Sequence, residues 1–343
     1  MRKLLNTLYI TNEEAYLTLD GETVCVMVKK EKIGQFPLHT LESIICFSHA
    51  GATPALMGKC AEKGISVAFF NPYGKFLCRS LGKNQGNILL RKEQYRASDD
   101  KERSLEVAKN FILGKLYNCR WTLDRTVRDH GMRIDVAACK KAISFLSSSL
   151  DGIRDVNDLD SLRGIEGEGA TIYFSVFDEL ILNQKADFLF HGRNRRPPLD
   201  RVNAMLSFGY TLLSNDCANA LEGVGLDSYA GFLHRDRPGR MSLALDLMEE
   251  LRPLFVDRFV LTLINMRQIQ GSHFNVLESG MVEMTLEGRK IFLTAWQERK
   301  REKITHPFLK EKLEWGMVPH IQALLLARYL RHDLDGYPPF LWK

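Results

Sequence analysis

Two stretches of the 343-residue sequence hold side chains able to grip a cation. In GIEGEGATIYFSVF, residues 164–177, helical spacing places Glu166 on one face with Gly169, Ala170, Tyr173 and Phe177, whereas Glu168 shares a face with Thr171 and Ser175. Glu166 is therefore the carboxylate aimed at packed neighbours, and the small residues beside it leave room for a ligand. A bare buried charge is too costly, so an inward carboxylate is paired, protonated or metal-bound. The bland alternative is a structural ion pair, with Arg163 as the partner. In GLDSYAGFLHRDRPGRMSLALDLMEELRP, residues 225–253, His234 closes an apolar stretch and opens a basic loop in which Arg235, Arg237 and Arg240 surround Pro238-Gly239. Ser242 is placed to cap the helix that follows. On that helix Asp246 and Glu249 stand one turn apart, within reach of His234. Taken singly, such a histidine is a structural residue and such carboxylates serve the helix dipole.

Taken together, one histidine and two or three carboxylates form a mixed nitrogen and oxygen set that suits Mn²⁺ or Mg²⁺ and leaves positions open for water or phosphate. Zinc would recruit more histidine or cysteine. A hard cation of this kind acts as a Lewis acid on a phosphoryl oxygen and activates a bound water or hydroxyl, which is phosphodiester chemistry. The substrate follows from the basic clusters. HGRNRRPPLDR, residues 191–201, sets four arginines against one aspartate, and its two prolines keep it extended. Arg193, Arg195 and Arg196 suit phosphate because the guanidinium fork donates paired hydrogen bonds. A second run at 297–312 carries six Lys or Arg against three acidic residues, and the stretch 101–128 adds more. One charge run is usually a solvated surface; three beside a metal-type constellation favour a nucleic-acid track.

The elements that must position these residues divide in two. Residues 1–82 read as a small β-rich domain, with strands at 8–11, 15–19, 23–28, 32–36, 41–47, 65–70 and 76–78, a hairpin turn at Asp20-Gly21, a helix at 53–63 and a turn at 71–74. Residues 83–87 make a linker. Residues 88–343 read as a larger, predominantly α-helical domain, with helical spacing over 88–95, 101–130, 135–147, 158–182, 200–221, 242–265 and 309–330. The fold class is thus α+β. Hydrophobic residues make up 45% and charged ones 26%, which excludes a disordered tail, a collagen-like fibre and a disulfide mini-protein. The net charge of +5 is too mild to identify a partner by itself. Seven cysteines without a C-x-x-C pair read as reduced thiols of a cytoplasmic protein, and no apolar run reaches the roughly 18 residues of a membrane span.

Four separated motifs resemble those of the CRISPR-associated integrase family of spacer acquisition, the Cas-one proteins. They are RGIEGEGATIYF (163–174), RNRRPPLDRVNAMLSFGYTLL (193–213), GLDSYAGFLH (225–234) and DLMEELRP (246–253), in the family's order and spacing. The N-terminal part is most similar to the I-C subtype. The resemblance implies a metal-dependent DNA endonuclease and integrase that joins the 3′-hydroxyl ends of protospacer DNA to a CRISPR repeat by transesterification. It implies Glu166, His234 and Glu249 as ligands of Mn²⁺ or Mg²⁺, with Asp246 as the adjacent catalytic carboxylate. It further implies a homodimer formed through the N-terminal domain, double-stranded DNA as substrate, and a heterohexamer with the small Cas-two protein. Arg193, Arg195, Arg196, Arg235 and Arg237 are the expected DNA contacts, and Asn203 and Tyr210 are candidates for supporting the site. Two other readings compete: a DNA-binding scaffold whose carboxylates merely bridge cationic side chains, and a metal-dependent phosphoesterase acting on another substrate.

Overall fold

A computed structural model describes residues 5–71, 74–80, 88–194 and 197–342. The expected linker 83–87, Arg195, Arg196 and part of the 71–74 turn lie outside the described residues. Apolar and β-branched runs punctuated by turn residues form β1 (Asn6–Ile10), β2 (Tyr16–Asp20), β3 (Thr23–Val28), β4 (Glu31–Pro37) and β5 (Leu41–Cys46). Helix α1 (Pro54–Glu62) begins where Thr53 Oγ1 accepts the Leu56 amide at 3.3 Å and Pro54 occupies the first helical turn. Strands β6 (Ser66–Phe70) and β7 (Phe76–Ser80) complete the series. One sheet has the order β1-β5-β6-β7, parallel except for its last pair, and the other is the antiparallel meander β2-β3-β4. Leu17, Val24 and Val26 meet Ile10, Ile44, Leu56 and Val67 in a single apolar core.

The remaining elements are mainly helical. They are α2 (Ile88–Asp99), α3 (Lys101–His130), α4 (Val136–Gly152), α5 (Leu159–Ser175), α6 (Arg201–Val224), α7 (Ser242–Arg252) and α8 (Arg258–Asn265), followed by the hairpin β8 (Phe274–Val276) and β9 (Val282–Met284). Helix α9 (Leu286–Arg301), the paired strands β10 (Lys303–Thr305) and β11 (Lys312–Glu314), and α10 (Val318–Leu330) close the list. Aspartates cap three helices that matter below: Asp100 for α3, Asp158 for α5 and Asp200 for α6, each accepting a first-turn amide at 2.7–3.1 Å. Among the described residues no helix is long and apolar enough to cross a membrane.

Several boundaries differ from the sequence expectation for identifiable reasons. The helix expected over 242–265 is interrupted by a π-helical turn, Pro253–Asp257, because Pro253 has no amide to continue the ladder. Ser242 is the first helical residue rather than the cap, and Met241 before it supplies no side-chain bond. Helix α5 ends at Ser175 instead of running to Leu182, and α10 begins only at Val318, after β11. The chain forms two compact units. One contains the described residues up to Ser80 together with Arg289–Glu302 and Glu314–Gly316; the other contains those from Ile88 to Gly288, Lys303–Leu313 and Met317 onward. The spacing of the sequence assigns residues 289–302 to the helical part, yet most of α9 joins the first unit. There Lys300 is buried and pairs with Glu42 at 3.2 Å, and Gln297 donates to the Thr7 carbonyl at 2.8 Å.

Within the second unit, two glycines set how closely the site helices approach. A β-carbon at Gly169 of α5 would lie 2.5 Å from Leu116 Cδ2 of α3, and one at Gly114 of α3 would lie 2.7 Å from the β-carbon of Glu250 on α7. Helix α3 is therefore gripped from two sides. Glu250 also fastens the segment 337–342: it accepts from Tyr337, from the Phe340 amide at 2.7 Å and from Gln322 Nε2 at 3.0 Å. Asn118 of α3 adds bonds to the carbonyls of Glu250 and Phe340 at 2.8 and 2.7 Å. Burial pushes the Glu250 carboxyl up to about 7. The folded state thus holds a proton that the unfolded chain has released, so this group's contribution to stability is full below about 4.5 and disappears as pH rises toward 7. Glu250→Gln removes that slope, which chemical unfolding at a series of pH values between 4.5 and 7 measures.

Candidate active site

Helices α3, α5 and α7 each deliver one charged side chain to a common point. Glu166 lies on the α5 face that buries Gly169 and Tyr173, while Glu168, Thr171 and Ser175 face solvent, as the helical spacing requires. Glu249 comes from α7 and is buried. Between the two carboxylates stands the ammonium of Lys115 from α3, 2.7 Å from Glu249 Oε2 and in contact with Glu166 Oε1. Arg252, one turn beyond Glu249 on α7, donates to both of its oxygens at 2.9 and 3.1 Å. Burial opposes the charged form of Glu249, but Arg252, Lys115 and His234 outweigh it and hold the carboxyl well below the usual range.

His234 occupies the loop that precedes α7. Its Nδ1 lies 2.5 Å from Asp246 Oδ1, and the same carboxylate accepts the backbone amides of Phe232, Leu233 and His234 at 2.6, 3.0 and 3.1 Å. Four donors use the acceptor capacity of Asp246, which is fully buried. Asp246 therefore shapes the 232–234 turn and orients the ring, and with Nδ1 as the donor the Nε2 lone pair is left for another partner. From the opposite side Arg163 donates Nε and Nη2 to the Leu233 carbonyl at 2.9 and 2.6 Å. Arg163 is thus a brace for the histidine loop and not the partner of Glu166.

The donor chemistry fits a hard divalent cation: two carboxylates already gathered around one positive group, and an imidazole fixed by a carboxylate through its other nitrogen. The packing adds a condition. Among the described residues no three His, Cys, Asp or Glu side chains converge closely enough to hold an ion as they stand, and the position between Glu166 and Glu249 belongs to Lys115.

The chain matches the family described as "CRISPR associated protein Cas1" over residues 8–298. It belongs to the Cas1 family. The "CRISPR-associated endonuclease Cas1 1" of Chlorobaculum tepidum is 48% identical over 343 residues, covering 100% of both chains. The "CRISPR-associated endonuclease Cas1 2" of Rhodospirillum rubrum is 50% identical over 347 residues, again with 100% of both chains covered. Among solved structures, a "Casposase bound to integration product" superposes with a TM-score of 0.84 at 25% identity, over 99% of this chain and 95% of the other. The Cas1 family's α+β organisation, a β-rich N-terminal region followed by a helical C-terminal part, is the organisation found here.

The other residues singled out in the sequence have definite places. Arg193 donates to Asn203 Oδ1 at 2.6 Å and to Ser207 at 3.1 Å, and its guanidinium lies 5.4 Å from the Tyr210 ring centre. Arg252 covers the same ring at 4.3 Å. Asn203 also accepts the Asn194 amide and donates to the Gly192 carbonyl, so it holds the arginine-rich loop. Tyr210 donates to Asp257, whose carboxyl burial pushes up to about 6. Arg235 is exposed and pairs with Asp160 at 2.7 Å, and Arg237 is exposed. Lys115 and Arg252 escape the sequence reading. A lysine sharing a face with Phe111 and Asn118 is the available signal, and the surrounding basic residues of α3 obscure it.

Burial lowers the tendency of His234 to hold a proton, but its bond to Asp246 and the charges of Asp246 and Glu249 raise it further, so the ring titrates above its ordinary value. The stability this ion pair supplies is complete below about 6.5 and is lost as pH climbs through the raised value. Asp246→Asn lowers the His234 pKa, readable from its imidazole NMR signals, and destabilises the chain by about 3 kcal/mol in chemical unfolding because one partner of a buried pair is gone.

Proposed function

We propose that this chain is a divalent-metal-dependent DNA endonuclease and integrase of CRISPR adaptation, joining the 3′-hydroxyl ends of protospacer DNA to a CRISPR repeat by transesterification. The observation that carries the reading is the meeting of Glu166 and Glu249 at one cation position, with the imidazole oriented by Asp246 near enough for its charge to act on Glu249. Family membership supports it, since relatives aligned over their full length are named endonucleases and a structural neighbour is described as bound to an integration product.

Glu166, His234 through Nε2 and Glu249 would hold Mn²⁺ or Mg²⁺. When bound, the ion supplies Lewis-acid stabilisation of the charge on the reacting phosphate and favours the hydroxyl nucleophile. Asp246 keeps the ring in its donor geometry, and Arg252 fixes the rotamer of Glu249 through two hydrogen bonds. Exposed Arg235 and Arg237, with Arg193, Arg195 and Arg196, supply the phosphate track for double-stranded DNA. No covalent enzyme intermediate is needed, because the DNA hydroxyl is itself the attacking group.

The same reading includes the I-C subtype, a cytoplasmic location, and a homodimer joined to the small Cas-two protein in a heterohexamer. The β2-β3-β4 sheet supports a pairing surface, for its edge strand β4 exposes Ile33 and Phe36.

One observation favours a second reading. Lys115 bridges Glu166 and Glu249, and Arg252 pairs with Glu249, as a metal-independent DNA-binding scaffold requires. The two readings separate with a supercoiled repeat-bearing plasmid, Mn²⁺ and duplexes ending in either 3′-hydroxyl or 3′-deoxy groups. Strand joining is expected with the hydroxyl alone. Glu166→Ala and His234→Ala are each expected to abolish joining while duplex binding in a gel-shift titration is retained. Joining by both variants, or by metal-stripped protein, overturns the metal assignment at Glu166 and His234, and no joining with either duplex selects the scaffold.

A further inference from the structure

Lys115 is a charged residue with no room to be charged alone. Its side chain leaves α3 between Phe111, Ile112 and Leu116, which are fully buried, and Lys115 itself is 4% exposed. The ammonium ends between the carboxylates of Glu166 and Glu249, on helices α5 and α7. A divalent ion gripped by the same two carboxylates needs the same space.

Charge makes the conflict sharper. Glu166 and Glu249 bring two negative charges, and Lys115 and Arg252 bring two positive ones, so this buried cluster is neutral as packed. Adding a doubly charged ion with both side chains in place would set three cationic centres around two carboxylates, in a setting where water screens poorly. One cation has to leave. Arg252 is held by two hydrogen bonds to Glu249 and stacks over Tyr210 at 4.3 Å, so its plane is fixed on two sides. Lys115 has a flexible four-carbon stem, and the Glu166 side chain beside its tip is 27% exposed, which leaves a way out.

We propose that Lys115 is a built-in counter-cation: it holds the place of the divalent ion between Glu166 and Glu249 and withdraws past Glu166 toward solvent when the ion binds. Loading the site is then an exchange of one cation for another. The lysine keeps two carboxylates gathered in the absence of metal, and in return it weakens metal affinity by the fraction of molecules in which it is already withdrawn. This inference rests on the metal reading of the site given above.

The test uses the full chain freed of metal with EDTA and dialysed, Mn²⁺ alone as the probe, and calorimetric titration without DNA. Wild-type protein is compared with Lys115→Met and with Glu166→Gln. For a withdrawn state populated at about a tenth or less, Lys115→Met binds Mn²⁺ about tenfold or more tightly than wild type, and Glu166→Gln loses the site. Wild-type binding that depends on Glu166, with equal or weaker binding by Lys115→Met, overturns the exchange and leaves the metal reading standing. Identical titrations for wild type and Glu166→Gln overturn both. A second measurement needs no variant at Lys115. In wild type, labelling of Lys115 by an amine-reactive ester, followed by peptide mass spectrometry, is expected to rise severalfold on saturation with Mn²⁺. Unchanged labelling at saturation counts against withdrawal even if Lys115→Met fails to fold.

Discussion

The carboxylate of Glu249 is the constraint on which the rest of the helical unit turns. It is buried on α7, and a buried charge is tolerable only when its partners arrive with it. Those partners are distributed: Lys115 belongs to α3 and Arg252 to α7 itself, while Glu166 on α5 shares the lysine. Correct packing of three helices is therefore a condition of charge neutrality as well as of apolar contact. Gly114 and Gly169 permit the close approach that brings the groups within hydrogen-bonding distance.

Around this cluster the carboxylates divide their work. Glu249 and Glu166 face a cation, and the neighbouring Asp246 faces the backbone, where it wraps the turn bearing His234. Glu250, next to Glu249 in sequence, points into the packed interior and ties down the distant segment containing Tyr337 and Phe340. Three acidic residues within five positions of one helix thus serve cation binding, loop shaping and anchoring, separated by helical rotation alone.

Much of this is legible in the sequence. The interval from 101 to 130 is both the expected and the observed helix α3, and the spacing argument turned Glu166 inward and Glu168 outward, as found. The pairing of β2 with β3 across the Asp20-Gly21 turn was equally plain. Failures cluster where a local pattern has two tertiary outcomes. An amphipathic stretch declares an apolar face but not the surface that covers it, so α9 could not be assigned to the first unit. The break at Pro253 was outweighed by continuous apolar spacing on both sides. Lys115 was hidden because a lysine amid other basic residues looks solvated until two acids from elsewhere enclose it. The basic run at 297–312 reads as part of a nucleic-acid track, whereas Lys300 within it is buried against Glu42.

The anchoring of Glu250 has a consequence for how the chain is made. Its bonds reach Phe340, 90 residues further along, and Asn118 clasps that same segment from α3. During synthesis the β-rich portion waits for residues 289–302 to complete its unit, and α7 lacks its partners at 337–342 until that still later stretch has cleared the ribosome. The cluster around Glu249 is assembled from helices that settle together with that stretch, so a nascent chain carries Glu249 and Glu250 through the next 90 residues without the finished anchor.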